Sequence, residues 1–157
     1  MTASIEPADE VLSRVLRDRP DVLAELTAAH DAAWASVDPV LLELCRLRVA
    51  MLLGNEADIV TRTPVAVAAG LDEQVVAELA SWPTSPRFDA RTRACLALTE
   101  QFVIDVASTD DSLPAGVAAH LGSAGLVDFT HALLVVEQRQ RLRLAWDRLL
   151  EPAGVVS

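Results

Sequence analysis

The sequence has no lysine and no tyrosine, and all thirteen of its basic residues are arginine. Without a lysine amine, Schiff-base catalysis is excluded, because no other side chain supplies that group. Aromatic residues make up only 4%, and no alternating apolar segment is bounded by turn residues, so strand signals are almost missing. Cysteine occurs only at Cys45 and Cys95, each in a strongly apolar stretch, which reads as two small buried hydrophobes. With no neighbouring His or Cys they make no metal site, and a structural disulfide is not expected in a reducing compartment. No cofactor and no metal is expected. The apolar runs fall short of the roughly eighteen residues that span a bilayer. The segment Met1 to Glu10 is acidic and lacks the basic and apolar regions of a signal peptide. A cytoplasmic chain with no membrane partner is expected.

What is present is acid and helix. At 157 residues and 52% apolar content the chain is long enough to bury a real core as one domain. Its net charge of −10 repels nucleic acid and anionic lipid, so no nucleic-acid partner is expected. Pro7 to Glu10 opens a short helix to about Arg17, and Pro20 with Asp21 starts a second to about Trp34. Asp38-Pro39 pairs an N-cap with proline at the first helical position, and Gly54 closes the helix it opens. That helix is apolar nearly all round, so it belongs at the centre of the core or under another subunit. Asn55 to Ala69, Asp72 to Ser81 and Asp89 to Ala107 read as further helices, with Gly70 stopping the first of them. A loop over Asp110 to Pro114, a short helix ending near Gly122 and a last helix from Leu126 to Leu150 complete an all-α, single-domain helical bundle.

The run Glu43-Leu-Cys-Arg-Leu-Arg-Val-Ala-Met-Leu-Leu-Gly54 leads into Asn55-Glu-Ala-Asp58, and Trp82-Pro-Thr-Ser-Pro-Arg-Phe88 follows further on. In order and spacing these segments resemble the carboxymuconolactone decarboxylase family in its alkylhydroperoxidase AhpD-like branch. Arg91, Ala94 to Glu100, Leu126-Val-Asp128 and Gln140-Arg141-Leu142 extend the likeness over about residues 38 to 147. Residues 38–150 are thus expected to form the AhpD-like helical domain, and residues 1–37 a helical extension packed on it. The resemblance implies a homo-oligomer, a trimer or hexamer. In the redox branch a glutamate relays protons, a Cys-x-x-Cys pair does peroxide and disulfide chemistry, and a histidine assists. Here the glutamate is Glu43, the two cysteines are Asn55 and Asp58, and the histidine is Arg62. Neither Asn nor Asp forms a sulfenate or a disulfide, so the family's peroxidase route is closed. Cys45 does not replace them, since on a helix it points about 200° away from Glu43.

Two readings of the altered positions stay open. In one, Asn55 caps a helix, Asp58 reaches back to it, and Asp58 with Arg62 forms an i, i+4 pair, so the residues are structural. In the other, Glu43, Asn55 and Asp58 are catalytic. Desolvation raises Glu43 toward neutrality as a base, Asn55 donates to an oxyanion, and Arg62 holds a substrate carboxylate. That site suits cofactor-independent lyase or isomerase chemistry on a small carboxylated or lactone substrate; the alternative is a catalytically silent scaffold or binding protein. The enzyme requires a cavity touching Glu43 and Arg62; the silent protein has Glu43 tied to Arg46 or Arg48 and no pocket there. Pro64 either kinks the helix that carries the site or begins a new one with Thr63 as cap. His30, His120 and His131 stand singly and read as surface or packing residues; His131, in the apolar last helix, is the one candidate for substrate binding. Arg139, Arg141 and Arg143 read as a solvated or intersubunit face, with Arg141 paired to Glu137. Trp34, Trp82 and Trp146 read as core and interface anchors.

Overall fold

In the computed structural model the described residues, 4–5 and 9–150, form eight α-helices and one two-residue β-ladder. Helix α1 (Glu10–Val15) starts at Asp9, whose carboxylate accepts from the Leu12 N–H; Pro7 and Ala8, the expected opening, lie outside the described residues. Helix α2 (Pro20–Ser36) carries proline in its first turn. Helix α3 (Pro39–Leu53) begins at Asp38, whose side chain accepts from the Leu41 N–H at 2.8 Å, a cap worth about 1 kcal/mol. It ends on Gly54 at φ 66°, where the left-handed cap satisfies the last carbonyls.

The expected single helix from Asn55 to Ala69 is two short helices, α4 (Glu56–Val60) and α5 (Pro64–Ala68). Between them Thr61–Arg62 is a strand, β2, paired in parallel with β1 (Ser4–Ile5) in the register Ser4 with Thr61. Pro64 is the cause: it bars α geometry at Thr63, which sits at φ −74°, ψ 137°, and the new helix begins at the proline. Helix α6 (Glu73–Ala77) is capped by Asp72 and runs into a 3-10 turn over Leu79–Ser81. Helix α7 (Ala90–Asp105) follows Asp89, and its end tightens into a 3-10 turn over Val106–Ser108. Helix α8 (Ser112–Leu150) turns sharply at Gly122 (φ 76°, ψ 171°) and resumes at once, so no loop separates the two last helices.

Helix α3 lies at the centre, packed on α7 and α8, while α2 lies along α8. One side of α3 gives Leu41, Leu44, Cys45 and Leu47 to a core shared with Leu96, Phe129 and Leu133. Leu42 turns to a smaller cluster with Ala33, Trp34, Ala132, Val135 and Val136. Averaged over eighteen residues, Ser112–Leu149 is apolar enough to cross a bilayer, which its short apolar runs do not suggest. The same helix supplies Phe129, Ala132, Leu133 and Val136 to the core. What this architecture positions is the third face of α3, where Glu43 meets the break between α4 and α5.

Candidate functional site

Glu43 is completely buried, and its carboxylate accepts four hydrogen bonds. Arg46 grips it in a fork through Nε (2.9 Å) and Nη2 (2.7 Å), one helical turn on. Thr63 donates its N–H to Oε1 (3.1 Å) and its hydroxyl to Oε2 (2.8 Å). The extended backbone before Pro64 aims both Thr63 donors at the acid. Arg46 also donates to the carbonyls of Asp58 (3.2 Å) and Thr61 (2.8 Å), so one guanidinium ties α3 to the whole α4–β2 turn. A buried ion pair with this many partners is held by its geometry, because both charges are out of water.

Asn55 and Asp58 are buried beside this clamp. Asn55 is the N-cap of α4, its oxygen accepting from the Asp58 N–H at 3.3 Å. Asp58 does not reach back to the Asn55 backbone, whose N–H donates to Ala50; instead Oδ2 accepts from the Asn55 side-chain amide at 3.0 Å. Nor does Asp58 pair with Arg62. Its Oδ1 lies 2.6 Å from Arg143 Nη1 on α8, a charge contact rather than an aligned hydrogen bond. The helix break rotates Arg62 away: it forks onto Glu73 (2.9 and 3.1 Å) and donates to the carbonyls of Ile59 and Thr61. His131 is exposed on α8 and stands apart from these groups. The structure therefore brings together Glu43, Asn55 and Asp58, puts Arg62 in a neighbouring pair, and leaves His131 out.

Two cavities flank the clamp, and neither has Glu43 or Arg62 in its lining. The first is an open groove of about 400 Å³ between α2 and α5, walled by His30, Asp31, Trp34, Thr63, Pro64 and Val65. The second is a chamber of about 10 Å³ between α2, α3, α4 and α8, walled by Trp34, Arg46, Asp58, Gln140 and Arg143 among others. His30 and Trp34 belong to both, so they are the partition between groove and chamber. Burial pushes the Asp58 carboxyl above the ordinary carboxylate range, with Arg143 and then Arg46 pulling the other way. Burial, helped by Arg139, pushes His30 down to about 4, so its imidazole is neutral at physiological pH. Burial raises both thiols, Cys95 to about 12 and Cys45 further, which disfavours the reactive thiolate at either position.

Several of these side chains had little signal in the sequence. His30 reads as a lone packing histidine until α2 folds against α8. Arg139 and Arg143 are four residues apart and share a face. That face is inward, toward Asp9 (3.3 and 3.7 Å) and Asp58, and not the solvated or intersubunit surface expected of the cluster. Arg141, between them, is the exposed one and pairs with Glu137 at 2.8 Å as its i, i+4 spacing suggests. Trp34 and Trp82 are core anchors; Trp82 donates its indole N–H to Glu100 at 2.7 Å.

Comparison with known proteins bears on the same architecture. A crystal structure of a protein of unknown function from Agrobacterium tumefaciens, proposed to be the antioxidant defence protein AhpD, is similar to this fold. It has a TM-score of 0.73 at 19% identity, over 89% of this chain and 97% of that one. At that identity the likeness shows the all-α, AhpD-like fold. No curated protein matches the chain. The family model for carboxymuconolactone decarboxylase matches residues 20–101, which takes in α2, outside the span over which the sequence motifs are legible, and stops before α8. That match covers more than half of the sequence, with the Glu43 clamp and the α4–α5 break inside it: the chain belongs to the carboxymuconolactone decarboxylase family.

Proposed function

We propose that this chain is a cofactor-independent, non-redox enzyme of its family, doing proton-transfer chemistry of the lyase or isomerase type on a small uncharged carbonyl compound such as a lactone. The observation that carries the reading is the partition. His30 and Trp34 have one side on a groove large enough for a small molecule and the other on a buried polar chamber containing Asp58. A carboxyl group raised by burial and a neutral imidazole on the walls of one chamber are a pair suited to acid–base chemistry. In this reading Asp58 takes the acid–base role first given to Glu43, while Glu43 and Asn55 hold the turn that carries it.

The charge around the groove favours a lactone over a carboxylate. Asp31 is the acidic side chain in its lining, and Arg62, the expected carboxylate receptor, is engaged with Glu73. A carboxylate there would meet a like charge without a facing cation. We also propose a cytoplasmic homo-oligomer, a trimer or hexamer. Exposed apolar side chains such as Ile104, Val106, Val127 and Leu134 support association.

A thermal-shift screen with lactones and their ring-opened carboxylates tests the reading. Stabilisation by a lactone, abolished by Ala35→Phe at the groove wall, is the expected result. The silent scaffold is the second reading, and it is favoured by the saturation of Glu43 by four donors and by the absence of Glu43 and Arg62 from the lining of both cavities beside the clamp. A screen in which no lactone stabilises the protein would decide for the scaffold.

A further inference from the structure

Six buried side-chain polar atoms have no hydrogen-bond partner among the described residues, and five of them belong to residues lining the chamber. Two of the five have charge partners nearby: Asp58 Oδ1 faces Arg143, and Arg139 Nε faces Asp9. That leaves Trp34 Nε1, Gln140 Oε1 and His30 Nδ1. Gln140 is itself fixed, since its amide donates to the Arg46 carbonyl at 2.9 Å and is 98% buried, at 2% exposure. An indole N–H left unpaired in the interior is destabilising, and so is each orphaned acceptor. Three such atoms, on residues that line one space of about 10 Å³, match the volume and the polar partners of a single buried water.

We infer that the chamber binds one water, which accepts from Trp34 Nε1–H and donates to Gln140 Oε1 and His30 Nδ1, and that this water fixes the His30 tautomer with Nε2 protonated, so that Nε2–H is the hydrogen-bond donor offered to a carbonyl oxygen in the groove. The contact of His30 with a ligand rests on the groove being the ligand site; the water and the imidazole tautomer do not.

Two NMR measurements on the full chain, made without ligand, test this. Cross-relaxation between water and the Trp34 indole N–H should show a long-lived contact, absent at the Trp82 indole, which is bonded to Glu100. It should be lost in Gln140→Leu, and in His30→Leu if the first variant does not fold. Long-range nitrogen correlations of His30 should show Nε2 protonated and Nδ1 bare. A missing water contact at Trp34, a contact unchanged in both folded variants, or an Nδ1-protonated imidazole would each overturn the inference. Because no lactone is present, a failed groove reading leaves both signals as they are.

Discussion

Replacing Glu43 by glutamine separates a structural acid from a working one. The substitution keeps the shape of the side chain but removes the charge and turns one acceptor oxygen into a donor. In the native clamp each oxygen accepts both a guanidinium N–H and a Thr63 donor, so donor now faces donor. Arg46, 5% exposed, keeps its charge without its counter-ion. Breaking a buried pair from one side costs about 3–5 kcal/mol. For a domain of this size each kcal/mol lowers Tm by roughly 2–4 °C, so the loss is about 10 °C. Guanidinium denaturation followed by tryptophan fluorescence, with circular dichroism as a second probe, measures it. A loss below about 1 kcal/mol, the range of surface substitutions, would refute the clamp. A gain in stability would be worse for it, since relief of strain is the mark of a residue kept for chemistry. Asp58→Asn should cost less than Glu43→Gln, because burial already disfavours the Asp58 charge.

Three further expectations follow from the same geometry. His30 has a folded-state value near 4 against 6.5 unfolded, so the unfolded chain binds the extra proton first. Stability from this group is complete above pH 6.5 and lost as pH falls toward 4. The ceiling is about 3 kcal/mol at 1.4 kcal/mol per tenfold change in proton affinity, cut to about 1–2 by partial exposure of the ring. His30→Gln should flatten that limb of a pH-dependent unfolding series. Both thiols should resist a disulfide reagent in the native protein and react fully only in denaturant, since Cys45 and Cys95 are wholly buried; rapid native labelling would contradict it. Gly122→Ala should lower stability by about 1–3 kcal/mol in calorimetry, because φ 76° with ψ 171° is essentially glycine-only even where the space is open; an unchanged Tm would count against the turn.

The helices were legible because their ends carry local chemistry. Asp38-Pro39, Asn55, Asp72 and Asp89 cap where side chains of that type must, and Gly54 closes α3 for the same reason. The family was legible in a contiguous frame of motif residues, most of it on α3 and its surroundings. The break at Pro64 was one of two foreseen outcomes, and sequence could not choose, since the choice depends on Thr63 finding Glu43. The site was less legible. Glu43, Asn55 and Asp58 meet because they flank one turn, but the partners of Asp58 come from α8, and His30 and Trp34 come from α2. Contacts between residues as far apart in sequence as Asp58 and Arg143 leave no periodicity to read. The two-residue ladder on β2 was missed because a strand that short has no alternation.

Proton transfer itself is the most direct thing to measure. A lactone that stabilises the protein should exchange the hydrogen next to its carbonyl with deuterated solvent, followed by proton NMR. Exchange catalysed by the wild-type chain and lost in a folded Asp58→Asn variant is the expected result. Exchange at an equal rate in Asp58→Asn, or none with any lactone that binds, would contradict acid–base chemistry at this site.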